Sequence, residues 1–187
     1  MKINWFGKNN IKNGIYTAKL GYKSMMEEMH PFEPLFWTKT LWKSPAPKKA
    51  KLVLWLSLQN RLLTWDNLQK RGWIGPGRCS LCRNEAESVL HILFSCTYAK
   101  MVWNRSSTSL NPLHQSTTDS FEARLKLWWK DPGARSFSAF PSLFAYGIWW
   151  ARNMVTFSEK FTPEELTAAI IVQWASGRKF VRSSHIR

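Results

Sequence analysis

The sequence predicts a mainly α-helical protein. Apolar residues recur at helical spacing through most of the chain, and the one stretch read as β-prone is the short Ile15-Tyr16-Thr17. The third observation is local: all three cysteines and one of the four histidines fall within residues 79–96, as Cys79, Cys82, His91 and Cys96. Their spacing, C-x2-C-x8-H-x4-C, points to a CCHC zinc knuckle embedded in a small irregular helical domain, followed by a C-terminal helical segment. The expected divisions are residues 1–105 with the knuckle at 79–96, a polar linker over 106–118, and a C-terminal helical region over 119–187.

Taken in order, Ile15-Tyr16-Thr17 gives way to a helical pattern reaching about Met29, with Leu20, Met25, Met26 and Met29 able to face a core. His30-Pro31-Phe32-Glu33-Pro34 reads as a linker, because each proline biases its predecessor away from helix. FWTKTLWK fits a short amphipathic helix through Phe36, Trp37, Leu41 and Trp42, ended by Pro45-Ala46-Pro47. From Lys48 to about Leu63 the run is apolar nearly all round after a basic start, which predicts a buried helix. TWDNLQKRG follows as a short helix, with Thr64 as N-cap and Gly72 as the stop.

After the cysteines, Thr97 is placed to cap a helix reaching Trp103, and SSTSLNPLHQSTTDS is a polar connection. Helices are then expected over about Asp119–Lys130, Ala139–Lys160 and Pro163–Val181. The last carries Thr162 as cap, Pro163 at the first helical position and Glu165 to complete a capping box.

Zinc calls for four donors in a tetrahedron, and a two-residue gap lets both thiolates of one tight turn reach the same ion. Gly77 helps that turn close. Ser88 is placed to cap a short helix bearing His91, Cys96 closes the site, and Leu90, Ile92, Leu93 and Phe94 are expected to cover it. Four protein donors leave no open position, so the site reads as structural. The competing reading is three buried free thiols beside an unrelated histidine. His30, His114 and His185 have no neighbours of matching spacing and read as solvent or core residues.

The chain of 187 residues carries 27 Lys and Arg against 12 Asp and Glu, a formal charge of +15. That balance favours a polyanionic partner, RNA or DNA, with an anionic membrane as the competitor. Residues 1–75 hold 13 basic and 4 acidic side chains, so most of the excess precedes the cysteines. No apolar run of about 18 residues could span a bilayer, and the polar N-terminus is unlike a secretory signal, so an intracellular protein, nuclear or cytoplasmic and not secreted, is expected. Twelve tryptophans read first as core filling and second as surfaces for stacking on bases.

Several stretches together resemble a known family. GIYTAKLGYKSM is similar to the opening of the reverse transcriptase zinc-binding domain found in plant LINE-type (non-LTR) retrotransposon polyproteins. LWKSPAPKKAKLVLWLSLQNRLLTWDNLQKRGW carries similar tryptophan, P-x-K and N-L-x-x-R-G positions, and CSLC, EAESVLHILFSC and YAKMVW continue the likeness to Trp103. YGIWWARNMVTF, residues 146–157, is similar to a segment that often follows in the same polyproteins, with Tyr146 in place of a tryptophan. The resemblance places Cys79, Cys82, His91 and Cys96 on the family's ligand pattern. It implies a zinc-stabilised, mainly helical appendage that assists a polymerase with nucleic acid, and it does not imply catalysis.

The residues themselves give no enzyme motif: there is no Tyr-x-Asp-Asp stretch, phosphate-cradling glycine loop or nucleophile elbow. The expectation is a non-catalytic nucleic-acid-binding module of low sequence specificity. Its candidate contacts are Lys48, Lys49, Lys51, Arg61, Lys70, Arg71, Arg78 and Arg83 for phosphate and Trp73 for stacking on an unpaired base. Trp55, between Leu54 and Leu56, is expected in the core. A protein-interaction module, docking on a reverse transcriptase or another protein, and a retroelement remnant without a nucleic-acid role are the alternatives.

Overall fold

The structure, a computed structural model, describes Ala18 and residues 37–106, 121–130 and 137–176. Apart from Ala18, all of these belong to the second of two units, which begins at Trp37. The expected helix reaching Met29, the polar connection from residue 107 onward, the tail after residue 176, and His30, His114 and His185 lie outside the described residues.

Among the described residues the elements are α-helices, one π-helical turn and an isolated antiparallel bridge between Arg78 and Ala86, with no strand. The mainly helical expectation holds. Helix α1 (Trp37–Lys43) buries Trp37 and Leu41, one turn apart, but leaves Trp42, expected on the same apolar face, half exposed.

Helix α2 (Lys48–Leu58) is shorter than the apolar run suggests. It stops because Asn60 takes the left-handed conformation (φ 50°), with the Asn60 amide donating to the Ser57 carbonyl and the Arg61 amide to the Leu56 carbonyl. That is a Schellman end with asparagine in the place glycine usually takes. Leu62 therefore enters the core from a loop, and Leu63 is largely exposed.

Helix α3 (Trp65–Gln69) follows Thr64, which is extended as an N-cap should be. The Thr64 hydroxyl bonds to the Asp66 carboxylate rather than to a free amide at the helix start. The helix ends at Gln69, before the Gly72 that the sequence marks as the stop, and the chain turns at Gly72 with φ 83°.

Helices α4 (Thr97–Ser106), α5 (Phe121–Lys130), α6 (Phe140–Ser158) and α7 (Glu164–Ala175) follow. Thr97 is the first residue of α4 rather than its cap. The expected capping box at α7 does not form: Pro163 is itself the cap residue, the Thr162 carbonyl accepts from the Tyr98 hydroxyl (2.7 Å), and the Glu165 carboxylate pairs with Arg105 of α4. These long-range partners outcompete the local one and tie α4 to α7.

The C-terminal helices share one core with the segment before residue 106. Helix α6 packs on α2, and α7 packs on both α4 and α6. At the centre Trp103 of α4 stacks on Phe144 of α6 with centroids 3.8 Å apart, and Trp128 of α5 stacks on Phe140 at 5.4 Å. Such pairs add about 0.5–1.5 kcal/mol each beyond the area they bury. Trp37, Trp103 and Trp128 are buried and Trp55, Trp129, Trp149, Trp150 and Trp174 pack against the core, so core filling is the main use of tryptophan here.

Candidate metal centre

The knuckle is built by a tight hairpin and a widened helical turn. The Cys79 amide donates to the Glu85 carbonyl (2.8 Å), the Arg83 amide to the Cys79 carbonyl (2.8 Å), and the Glu87 amide to the Gly77 carbonyl (2.9 Å). Two left-handed residues let the chain double back, Gly77 at φ 66° and Arg83 at φ 59°. This brings Cys79 and Cys82 onto the same side of one turn.

His91 arrives on the other arm. Its amide donates to the Ser88 hydroxyl (3.1 Å), the N-cap bond expected from the sequence. Residues His91–Ser95 then form a π-helical turn, closed by the Cys96 amide on the His91 carbonyl (2.8 Å). The five-residue hydrogen bond explains the H-x4-C spacing: it brings Cys96 back to the His91 turn. Trp103 fixes the turn from below, its indole N–H donating to the Leu93 carbonyl (3.2 Å). Ile92, Leu93 and Phe94 are buried, whereas Leu90, also expected to cover the site, is 37% exposed and turns toward solvent.

The donor atoms converge. Cys79 Sγ and Cys96 Sγ are 3.9 Å apart, Cys82 Sγ and His91 Nε2 are 3.3 Å apart, and all four atoms lie within 4.8 Å of one another. A tetrahedral zinc with ordinary bond lengths has S–S edges of about 3.8 Å and S–N edges of about 3.6 Å. The site therefore fits zinc with small adjustments. Cys79, Cys96 and His91 are buried and Cys82 is partly exposed, leaving the ion one approach from solvent.

Protonation shows the same crowding. The Cys79 thiol is pushed up to about 12 by its hydrogen bond with Cys96 and by burial, while that bond lowers Cys96. His91 is raised to about 9, chiefly by its hydrogen bond with Cys79 and against the effect of burial. Protons thus occupy positions that a divalent cation would take with all donors deprotonated.

One partner was not anticipated from the sequence. His91 Nδ1 is buried and lies 3.0 Å from the Glu85 carboxylate, off the line of a good hydrogen bond. Glu85 is exposed, so a small rotation would align it. With Nε2 on the metal, Nδ1–H would donate to Glu85, the arrangement that fixes a ligating imidazole's tautomer and orientation.

Residues 16–103 match the family described as zinc-binding in reverse transcriptase. The cofactor of this zinc-binding domain is a single zinc ion, and Cys79, Cys82, His91 and Cys96 are the residues that would hold it. An Arabidopsis thaliana protein provisionally named a ribonuclease H protein is 27% identical over 145 residues, covering 74% of this chain. The chain spans only 22% of that relative's length. No solved structure gives a significant match. No described helix is long and apolar enough to cross a membrane.

The expected nucleic-acid contacts are scattered around the zinc-binding domain. Lys48 and Lys49 are exposed at the start of α2 and Arg61 is exposed past its end, about 16 Å along the helix axis. Lys51 is half-buried and its ammonium donates to the Trp42 carbonyl (2.9 Å), so it braces α1 against α2. Lys70 is exposed and shares Asp66 as an ion-pair partner at 3.7 Å. Arg71, Arg78 and Arg83 are exposed, and Trp73 is 65% exposed.

The segment from Lys70 to Arg83 is contiguous and braced. A Cβ on Gly75 would lie 2.1 Å from the Trp65 ring, so only glycine lets the chain pass over that indole. With the Trp73 amide bonded to the Leu68 carbonyl (3.2 Å) and Gly77 tied to Glu87, the loop holds Trp73 and Ile74 outward between two anchored ends. Ile74 is 99% exposed.

Proposed function

We propose that the chain is a non-catalytic, zinc-stabilised nucleic-acid-binding module. The observation that carries this reading is the braced loop at the zinc site. It presents exposed Trp73 between Lys70 and Arg71 on one side and Arg78 and Arg83 on the other. Exposed cations contact phosphates, and an exposed aromatic accepts an unpaired base without regard to its identity. The chain's +15 charge supplies long-range attraction to the same ligand.

The non-catalytic part rests on the donor set. Three thiolates and one imidazole complete a tetrahedral zinc and leave no position for water or substrate, so the ion would staple the hairpin to the π turn. Low sequence specificity follows from the contact chemistry, because phosphates and ring faces are common to every nucleotide.

Anisotropy of a labelled RNA with single-stranded and hairpin parts, measured at several salt concentrations, tests the reading. The expected result is a log-log salt slope of several units, reduced by K70A with R71A. Absence of binding at low salt would overturn it and favour docking on another protein.

A further inference from the structure

We infer that the nucleic-acid surface extends beyond residues 16–103 onto the end of α6, where Phe157 offers a second stacking face for an unpaired base. The ligand class is single-stranded nucleic acid. This inference rests on the binding function proposed above, and it assigns a role to a residue outside the matched domain.

Phe157 is 77% exposed, more than Trp73, although it ends a helix whose other aromatic residues are largely packed. Its position is set rather than loose. The Arg152 guanidinium lies 6.0 Å from the Phe157 ring centroid and 5.0 Å from that of Trp149. Arg152 is itself immobilised by the Glu87 carboxylate at 2.7–3.2 Å and by the Asn153 side chain at 3.2 Å. A fixed cation beside an aromatic ring orients it while most of the ring remains open to solvent.

The last turn of α6 also lies against the zinc hairpin. The Thr156 hydroxyl is 3.3 Å from the Ser80 hydroxyl, which sets the last turn of α6 against the Cys79–Cys82 turn. Exposed Arg83 ends that turn, and exposed Lys160 follows Phe157 where left-handed Glu159 (φ 53°) turns the chain. Exposed carboxylates on the same segments are Glu159 and Glu85, the latter directed at His91. An exposed aromatic face on segments that also carry exposed cations suits a nucleotide chain with splayed bases, whereas a duplex keeps its base faces stacked on one another.

The test uses the full, zinc-loaded chain and one labelled oligonucleotide, single-stranded or annealed to its complement, with F157A, F157L and F157W. Because Phe157 is exposed, each variant should keep wild-type zinc content and helical signal. F157A and F157L are expected to weaken single-strand binding by about 5- to 150-fold, with F157W near wild type and duplex affinity and salt slope unchanged. Wild-type affinity in F157A, full rescue by leucine, or an equal loss on the duplex would overturn the inference alone. Failure of the wild-type chain to bind either form would overturn both it and the function it rests on.

Discussion

Arg152 of α6 and Glu87 of the zinc hairpin form an ion pair that solvent does not reach, with side-chain exposures of 2% and 0% and a closest approach of 2.7 Å. The same carboxylate accepts the Trp65 backbone amide (3.0 Å), so one acid joins the start of α3, the zinc hairpin and helix α6. Arg152 and Glu87 are each the buried counter-charge of the other, which makes the arrangement costly to break on one side.

Replacing one partner should therefore destabilise the fold as a whole. R152A is expected to lower unfolding free energy by about 3–5 kcal/mol, because Glu87 would remain buried without its counter-charge. E87M with R152M should cost less than either single change. Urea unfolding of the zinc-loaded proteins measures the difference.

Glu85 bears on the metal without ligating it. E85Q should weaken zinc binding by about 10- to 100-fold with little change in fold, since the carboxylate is exposed and contributes through the His91 ring. Competition against a chelator of known affinity reads this directly. An unchanged affinity would mean that His91 is oriented by the π turn alone.

Protons compete with zinc. In the metal-free protein Cys79 is raised to about 12 and His91 to about 9, so both hold protons at neutral pH and must lose them to bind the ion. A raised folded-state pKa favours the protonated apo form. Zinc affinity should accordingly rise with pH across the neutral range and fall on acidification, with net proton release on binding. Calorimetry in buffers of differing ionisation enthalpy counts those protons.

The exposed loop depends on Gly75. G75A places a methyl group into the Trp65 ring and should cost about 1–3 kcal/mol as the loop or the ring shifts. On the proposed function it should also weaken nucleic-acid binding without altering zinc content. Retained binding with a displaced loop would remove Trp73 from the interface.

The convergence of the four donors is legible in the sequence because its information is local. Spacing named Cys79, Cys82, His91 and Cys96, Ser88 was identified as the cap, and Gly72 and Gly77 were assigned to turns they do make. What sequence misjudged was decided by partners distant in the chain. Glu165 looked like half of a capping box until Arg105, 60 residues away, supplied a stronger partner. Helix α2 was drawn too long because apolar periodicity does not register the left-handed turn at Asn60. Glu87 and Arg152 were missed altogether, although an arginine inside the apolar run IWWARNM is a signal, since buried arginine is rare without a counter-charge. Lys51, expected among the phosphate contacts, also donates to the Trp42 carbonyl, a bond that charge alone does not reveal.

The most direct test of the zinc site is X-ray absorption at the zinc edge of the purified full chain, with C82S alongside. The expected shell is three sulfurs at about 2.3 Å and one nitrogen at about 2.0–2.1 Å, with one zinc per chain. C82S should lose the ion and the proteolytic resistance of the hairpin, because structural zinc binding contributes folding free energy. A shell of oxygen donors, or zinc content and protease resistance unchanged in C82S, would contradict the assignment of Cys79, Cys82, His91 and Cys96 as a single structural site.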